Sequence, residues 1–246
     1  MAYLVLFLAA LWAGAQNALA GGGSFITLAA LVLTGLDPRA ANITSTIALF
    51  PGQVTSGVAG RRYVSGAQGL PFWVLVVISL AGGVVGALLL LATSAAFFAR
   101  LVPWLVLFAT LVFAFGSLLR PKDGARRLSP IGAAIVQFVI AVYGGYFGGG
   151  IGFLMLAALT MAGLEIRRAG ATKNMLAGVM NASAVVVFLF SNEVYWLQAG
   201  IVCFAAIGGG LAGAWLLRKV NEGVLRGVVI AIGVALTVGL FWRAHG

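Results

Sequence analysis

The chain has 246 residues, of which 62% are hydrophobic and only 8% charged, where a soluble domain carries about 25% charged residues. That excludes a surface wetted all round and makes the chain an integral membrane protein. The net charge of +10 does not point to nucleic acid, because the cations sit in short loops between apolar segments, where the positive-inside bias places them.

The apolar segments are long and lack period-2 alternation, which predicts helices and not a β-barrel. In chain order they run over about 2–20, 24–36, 39–60, 70–93 and 100–119. A polar stretch from Arg120 to Arg127 follows. Five more lie at about 129–148, 152–164, 168–190, 194–217 and 223–243. The first segment ends Ala18-Leu19-Ala20, which looks like a signal-peptide cleavage site, but no positive n-region precedes it. It has a counterpart at 129–148, so we read it as a retained helix. The segments 24–36 and 152–164 are short of the roughly 20 residues a full span needs.

Placing each residue over the one 128 positions later exposes a repeat. From 21 to 50, twelve of thirty pairs are identical. They include Gly21/Gly149, Gly22/Gly150, Phe25/Phe153, Gly35/Gly163, Arg39/Arg167 and Thr44/Thr172, and Asp37 falls over Glu165. The expected fold is an all-α integral membrane protein of two five-segment repeats. Residues 1–122 form the first repeat, 123–128 a cytoplasmic linker, and 129–246 the second. An odd number of segments per half inverts the halves relative to each other.

The linker is rich in Lys and Arg, which places it in the cytoplasm. Counting back puts both termini in the periplasm and the pairs Arg61-Arg62, Arg167-Arg168 and Arg218-Lys219 inside. The first two segments of each half are either two crossings or one re-entrant hairpin. Both leave these assignments unchanged.

Enzyme chemistry finds no support. The chain has one histidine, His245, and one cysteine, Cys203, so no metal cluster or catalytic triad can form away from the tail. We expect no cofactor, no metal and no catalytic residue. Asp37, Asp123, Glu165, Glu193 and Glu222 all lie at segment ends or in loops, so no proton relay or sodium site is visible mid-helix. A salt bridge between Asp37 and Arg39, and between Glu165 and Arg167, is the plain expectation for those turns.

Polar residues cluster instead on the third segment of each half. They are Asn42, Thr44, Ser45 and Gln53 in the first half, and Thr172, Lys173, Asn174 and Asn181 in the second. Gln53 and Asn181 coincide under the offset. Lys173 either snorkels to the headgroups or faces a cavity as a cation for an anionic substrate. The glycine breaks suit an anion too. A helix opening at Gly22, Gly23 and Ser24, or at Gly150 and Gly152, leaves N–H groups unpaired at its positive end. Close helix packing is the alternative for glycines, and the one we assign to Gly82-Gly83, Gly86 and Gly208-Gly209-Gly210. Gln16, Asn17 and Gln137 face either a pore or a neighbouring helix. Tyr143 and Tyr146 flank the second break within reach of a substrate. Trp73, Trp104 and Trp196 look like interface anchors, and Pro51-Gly52 marks a bend beside Gln53.

The two Gly-rich openings followed by Phe25 and Phe153, the run Asn42-Ile43-Thr44-Ser45-Thr46 with Ala48-Leu49-Phe50-Pro51-Gly52, and Lys173-Asn174-Met175-Leu176 with Asn181 resemble the TauE/SafE family of bacterial anion transporters. The resemblance covers nearly the whole chain. It implies a secondary transporter in the bacterial inner membrane that exports sulfite, a sulfonate such as sulfoacetate, or a small organic acid. It also implies a site on the third segments, at Asn42, Thr44, Ser45, Thr172, Lys173, Asn174 and Asn181. The expected partners are a small anion and membrane lipid, with no nucleic acid; the chain is a monomer or a homodimer. An anion-selective channel and a membrane assembly factor without transport are the alternatives.

Overall fold

A computed structural model describes residues 1–19, 22–67, 69–115, 129–216 and 222–245. The linker at 123–128, Gly21 and Arg218-Lys219 lie outside the described residues. Ten helices follow in order. The first half holds α1 (Ala2–Leu19), α2 (Gly23–Leu33), α3 (Pro38–Ala59), α4 (Phe72–Ala92) and α5 (Ala95–Phe115). The second holds α6 (Pro130–Tyr146), α7 (Ile151–Met161), α8 (Ile166–Leu189), α9 (Trp196–Leu216) and α10 (Glu222–His245). Three stretches, 72–92, 95–112 and 167–189, are long and apolar enough to cross a membrane by length and composition.

Both short helices start where glycine permits a left-handed residue. Gly22 (φ 85°) precedes α2 and Gly150 (φ 76°) precedes α7, a conformation that costs other residues strain. Each helix is 11 residues long, so at 1.5 Å per residue it covers roughly half of a 30 Å hydrocarbon core.

The turn into α3 departs from expectation. Asp37 does not pair with the Arg39 guanidinium. Its carboxylate caps the helix, accepting from the backbone N–H of Arg39 (3.0 Å) and Ala40 (3.2 Å), with Pro38 as the first helical residue. An aspartate immediately before a helix-initiating proline sits where the orphan N–H groups converge. Glu165 occupies the same position before α8 without a side-chain cap bond, and Arg167 lies over the Tyr63 ring instead, 4.3 Å from its centroid. The helix α3 runs on through Pro51, which cannot donate to the carbonyl one turn back.

Packing follows a pattern across the halves. The helix α1 lies on α9 and α4 on α6; α3 touches α9 and α4 touches α8; α2 touches α10 and α5 touches α7. Bare glycine backbone makes the closest approaches. A Cβ on Gly82 would lie 2.5 Å from the Ala141 methyl, and one on Gly86 would lie 2.7 Å from the Tyr146 nitrogen. On Gly209 it would meet the Leu11 carbonyl carbon at 2.6 Å. The expected packing role of the 208–210 triplet falls to Gly209 alone. Gly208 has no atom within 4 Å of such a Cβ, and Gly210 has only the Gly14 oxygen at 3.7 Å.

The core joins Phe25, Phe98 and Phe188 with small and aliphatic residues from both halves. Large apolar side chains such as Trp73, Leu88, Phe108, Val139 and Phe204 face outward, as lipid contact requires. Trp73 and Trp196 stand at helix starts, but Trp104 lies midway along α5, edge-on to Phe241 with centroids 5.0 Å apart.

Candidate functional site

A cavity of about 640 Å³ lies where the starts of α2 and α7 meet α1, α3, α8 and α9. The two glycine breaks approach each other at its wall. A Cβ on Gly149 would lie 2.9 Å from the Phe25 ring, and Phe25 packs against Phe147 with centroids 6.5 Å apart.

Seven of the residues expected to bind substrate line this cavity: Gly22, Ser24, Gln53, Gly150, Gly152, Lys173 and Asn174. The other six do not, and each is committed to a structural bond. The Gly23 N–H donates to the Asn17 side-chain oxygen (2.8 Å). Asn42 donates to the Tyr146 carbonyl (3.1 Å), tying α3 to α6. Thr44 accepts from the Tyr195 N–H (3.2 Å). The Ser45 hydroxyl shares a hydrogen bond with Thr27 of α2 (2.6 Å). Thr172 accepts from the Ser65 N–H (3.1 Å). Asn181 donates to the Gln53 oxygen and is itself buried. The third helices are polar because they form the cross-braces between the halves as well as one wall of the cavity.

Lys173 is the one charged residue in the lining among the described residues. It is half-buried and makes no hydrogen bond or ion pair among the described residues. A Cβ on Gly152 would lie 3.6 Å from its ammonium nitrogen and 3.8 Å from its Cδ. The ammonium therefore stands over the first turn of α7, inside the cavity, and does not reach back toward Arg167-Arg168. No described side chain caps the start of α7. The start of α2 differs, because Asn17 already accepts one of its N–H groups. The two helix ends that face the cavity are thus unequal. At one, the Asn17 side chain already takes the Gly23 N–H. The other offers free N–H groups beside an unpaired cation.

Asn17 was open between pore and neighbour; it does both, capping α2 and lining the cavity. Gln137 resolves to the neighbour, donating to Ser79 of α4 (2.8 Å). Tyr143 and Tyr146 point away from the cavity, the first to the Leu105 carbonyl (3.5 Å) and the second to the Thr93 hydroxyl (3.3 Å). Sequence reasoning missed Thr55, Ser56 and Cys203 as lining residues. Thr55 and Ser56 follow Gln53 within a turn, which was the available signal. Cys203 had none.

The cavity has a direction. From α3 it takes only residues from Ala48 onward, and from α9 only residues from Cys203 onward. It therefore opens toward the face where α3 ends and α8 begins, the face of Arg61, Arg62, Arg167 and Arg168. The described acids are absent from its wall, and among the described residues no His, Cys, Asp and Glu group is arranged to hold a metal.

The family described as sulfite exporter TauE/SafE matches residues 6–240. The chain belongs to that family. Relatives extend over almost its whole length. A probable membrane transporter protein of Haemophilus influenzae is 27% identical over 243 residues, covering 97% of this chain and 94% of the relative. The probable membrane transporter protein YfcA of Escherichia coli K12 is 26% identical over 247 residues, covering 98% and 90%. The probable membrane transporter protein ORF9 of a Sinorhizobium species is 29% identical over 239 residues, covering 96% and 90%. TauE/SafE membership and these names indicate a multi-pass membrane transporter and not an enzyme.

Proposed function

We propose that the chain is a secondary transporter that exports a small sulfur-containing or carboxylate anion, such as sulfite, sulfoacetate or a similar sulfonate, across the bacterial inner membrane by alternating access. One observation carries the reading: among the described residues, Lys173 stands unpaired over the uncapped start of α7, in a cavity lined by no other formal charge. A cation away from bulk water is costly unless an opposite charge answers it. The free N–H groups of α7 favour the same sign of ligand. Gln53, Asn174 and Ser24 supply neutral hydrogen-bonding groups in the same cavity.

The arrangement of the halves supports alternating access. Exchanging each helix for the one five places on maps the contact of α1 with α9 onto that of α6 with α4, and α3 with α9 onto α8 with α4. The helices α3 and α8 run antiparallel, since Arg39 at the start of α3 meets Glu193 beyond the end of α8, and Ser65 beyond α3 meets Thr172 near the start of α8. Both features fit two inverted repeats around one central site, a common transporter plan. The four arginines at the open face support a cytoplasmic orientation for it, where an exported anion would load. Outward movement of an anion from a negative interior is favourable by about 2.3 kcal/mol per charge per 100 mV, and among the described residues no carboxylate lines the cavity to demand a coupled cation.

The test is a binding screen of the purified protein against sulfite, sulfate, sulfoacetate, taurine and simple carboxylates, repeated with Lys173→Ala. Sulfite or a sulfonate is expected to bind and the variant to lose it. Unchanged affinity in the variant removes the role assigned to Lys173. Flux that stops when the proton gradient collapses at constant membrane potential overturns the uncoupled mechanism.

A further inference from the structure

At the end of the cavity away from the arginine-rich face stands an ion pair that has no equivalent at the open end among the described residues. The Arg39 guanidinium, at the start of α3, pairs with the Glu193 carboxylate in the turn between α8 and α9. It also donates to the Thr93 carbonyl between α4 and α5. The two side chains are 16% and 28% exposed, enough burial to spare them the full screening of a surface pair. Neutral bonds reinforce the closure. Asn42 holds the end of α6 through the Tyr146 carbonyl, Tyr146 reaches the Thr93 hydroxyl, and Thr44 holds the Tyr195 N–H. Four inter-helix junctions from both halves are thereby drawn to one point.

The 128-residue offset allows the same position to be inspected at the open face. Arg39 corresponds to Arg167 and Glu193 to Ser65. The neutral bond is kept there: Thr172, the counterpart of Thr44, holds the Ser65 backbone at 3.1 Å and 3.3 Å. The ion pair is not kept, because Ser65 carries no charge. Arg167 rests on the Tyr63 ring at 4.3 Å, a weaker interaction at an exposed site than a hydrogen-bonded ion pair with partial burial. One face therefore has an arginine paired with a carboxylate across two helix junctions, and at the other Arg167 makes no ion pair among the described residues, although Glu165 stands two positions before it.

We propose that Arg39 and Glu193 form a latch that holds the far end of the cavity closed and must part, together with the Arg39–Thr93 bond, before the cavity can reach that face. The proposal rests on the alternating-access reading and adds to it the residues that set the resting state. The latch is intact in the conformation whose cavity opens toward Arg61 and Arg62. Its one-sidedness makes that conformation the populated one without ligand, because closing the other end gains no equivalent ion pair.

The chain carries its own reporter. Cys203 is its single cysteine and lines the cavity. A small membrane-impermeant methanethiosulfonate reagent, applied to vesicles of either orientation, measures which face the cavity meets. The wild type is expected to react from the arginine-rich face. Glu193→Gln is expected to raise the rate from the opposite face severalfold. Ser65→Glu, which installs the missing carboxylate beside Arg167, is expected to lower the rate from the arginine-rich face. Unchanged sidedness in Glu193→Gln overturns the latch. Should that variant not fold, an unchanged rate in Ser65→Glu overturns it instead. Anion binding is read separately through Lys173→Ala. Sidedness that responds to the latch variants in a protein without anion affinity upholds the latch while removing the anion reading.

Discussion

The Asn181 amide donates to the Gln53 oxygen across the contact of α3 with α8, and these two residues stand 128 positions apart, the offset that also sets Gly22 over Gly150. In the inverted arrangement proposed above, a bond between two such equivalents lies on the axis that relates the halves. The same bond touches function, since Gln53 lines the cavity while Asn181 is buried behind it. Removing one partner strands a buried polar group, whereas replacing both by apolar residues of similar shape does not. Gln53→Leu alone is expected to destabilise by about 1–3 kcal/mol and Gln53→Leu with Asn181→Leu by much less. Thermal unfolding of the two single variants and the double variant measures this, and additive losses would show that the bond is not coupled.

Lys173→Ala is expected to weaken binding of a sulfonate or sulfite by roughly tenfold to a hundredfold, the range of about 1.5–3 kcal/mol typical of a charge-assisted hydrogen bond. Lys173→Arg keeps the charge and is expected to lose less. Isothermal titration in low and high salt checks both, and equal affinities for Ala and Arg at this position would mean that charge is not what the ligand meets.

Asn17 separates cap from charge. Asn17→Asp keeps an acceptor for the Gly23 N–H but places a negative charge on the cavity wall. Stability is expected to hold, while anion affinity falls by about twofold to fivefold, the scale of a single charge acting near a helix end. Asn17→Ala is expected to do the reverse, losing about 1 kcal/mol as the cap is removed with affinity unchanged or improved. Paired unfolding and binding curves distinguish the two, and a fall in both quantities for both variants would remove the division of roles.

Gly150→Ala tests the break before α7. The added Cβ meets the left-handed backbone of φ 76° and the Ala109 methyl at 2.8 Å. Strain of this kind costs of order 1–3 kcal/mol, and a lowered unfolding temperature is the expected result. Gly208→Ala, where the Cβ meets open space, is the control and is expected to change stability by less than about 0.5 kcal/mol.

Much of the architecture was legible because membrane insertion constrains sequence so tightly. Apolar length and charge-free interiors located ten helices, although the two short ones end at Leu33 and Met161, three residues before the expected 36 and 164. The repeat offset located the polar third helices. Which of their side chains point into the cavity was not legible. Thr44, Ser45 and Thr172 look like donors for a ligand in sequence, yet their hydroxyls are taken up by Tyr195, Thr27 and Ser65. A hydroxyl that braces two helices and one that binds a ligand have the same spelling, and only the partner tells them apart.

The same division holds for charge. Composition and apolar length along the chain are enough to determine a membrane protein of many helices, since lipid excludes unpaired polar groups. The partners of the cations were decided only in three dimensions. Asp37 stands two residues from Arg39 but serves the backbone of α3, and Arg39 instead finds Glu193, 154 residues away. Local geometry made Asp37 a cap. The packing of α3 against α8 and α9 then brought the distant carboxylate to the Arg39 guanidinium, and left Lys173 without a partner among the described residues over α7.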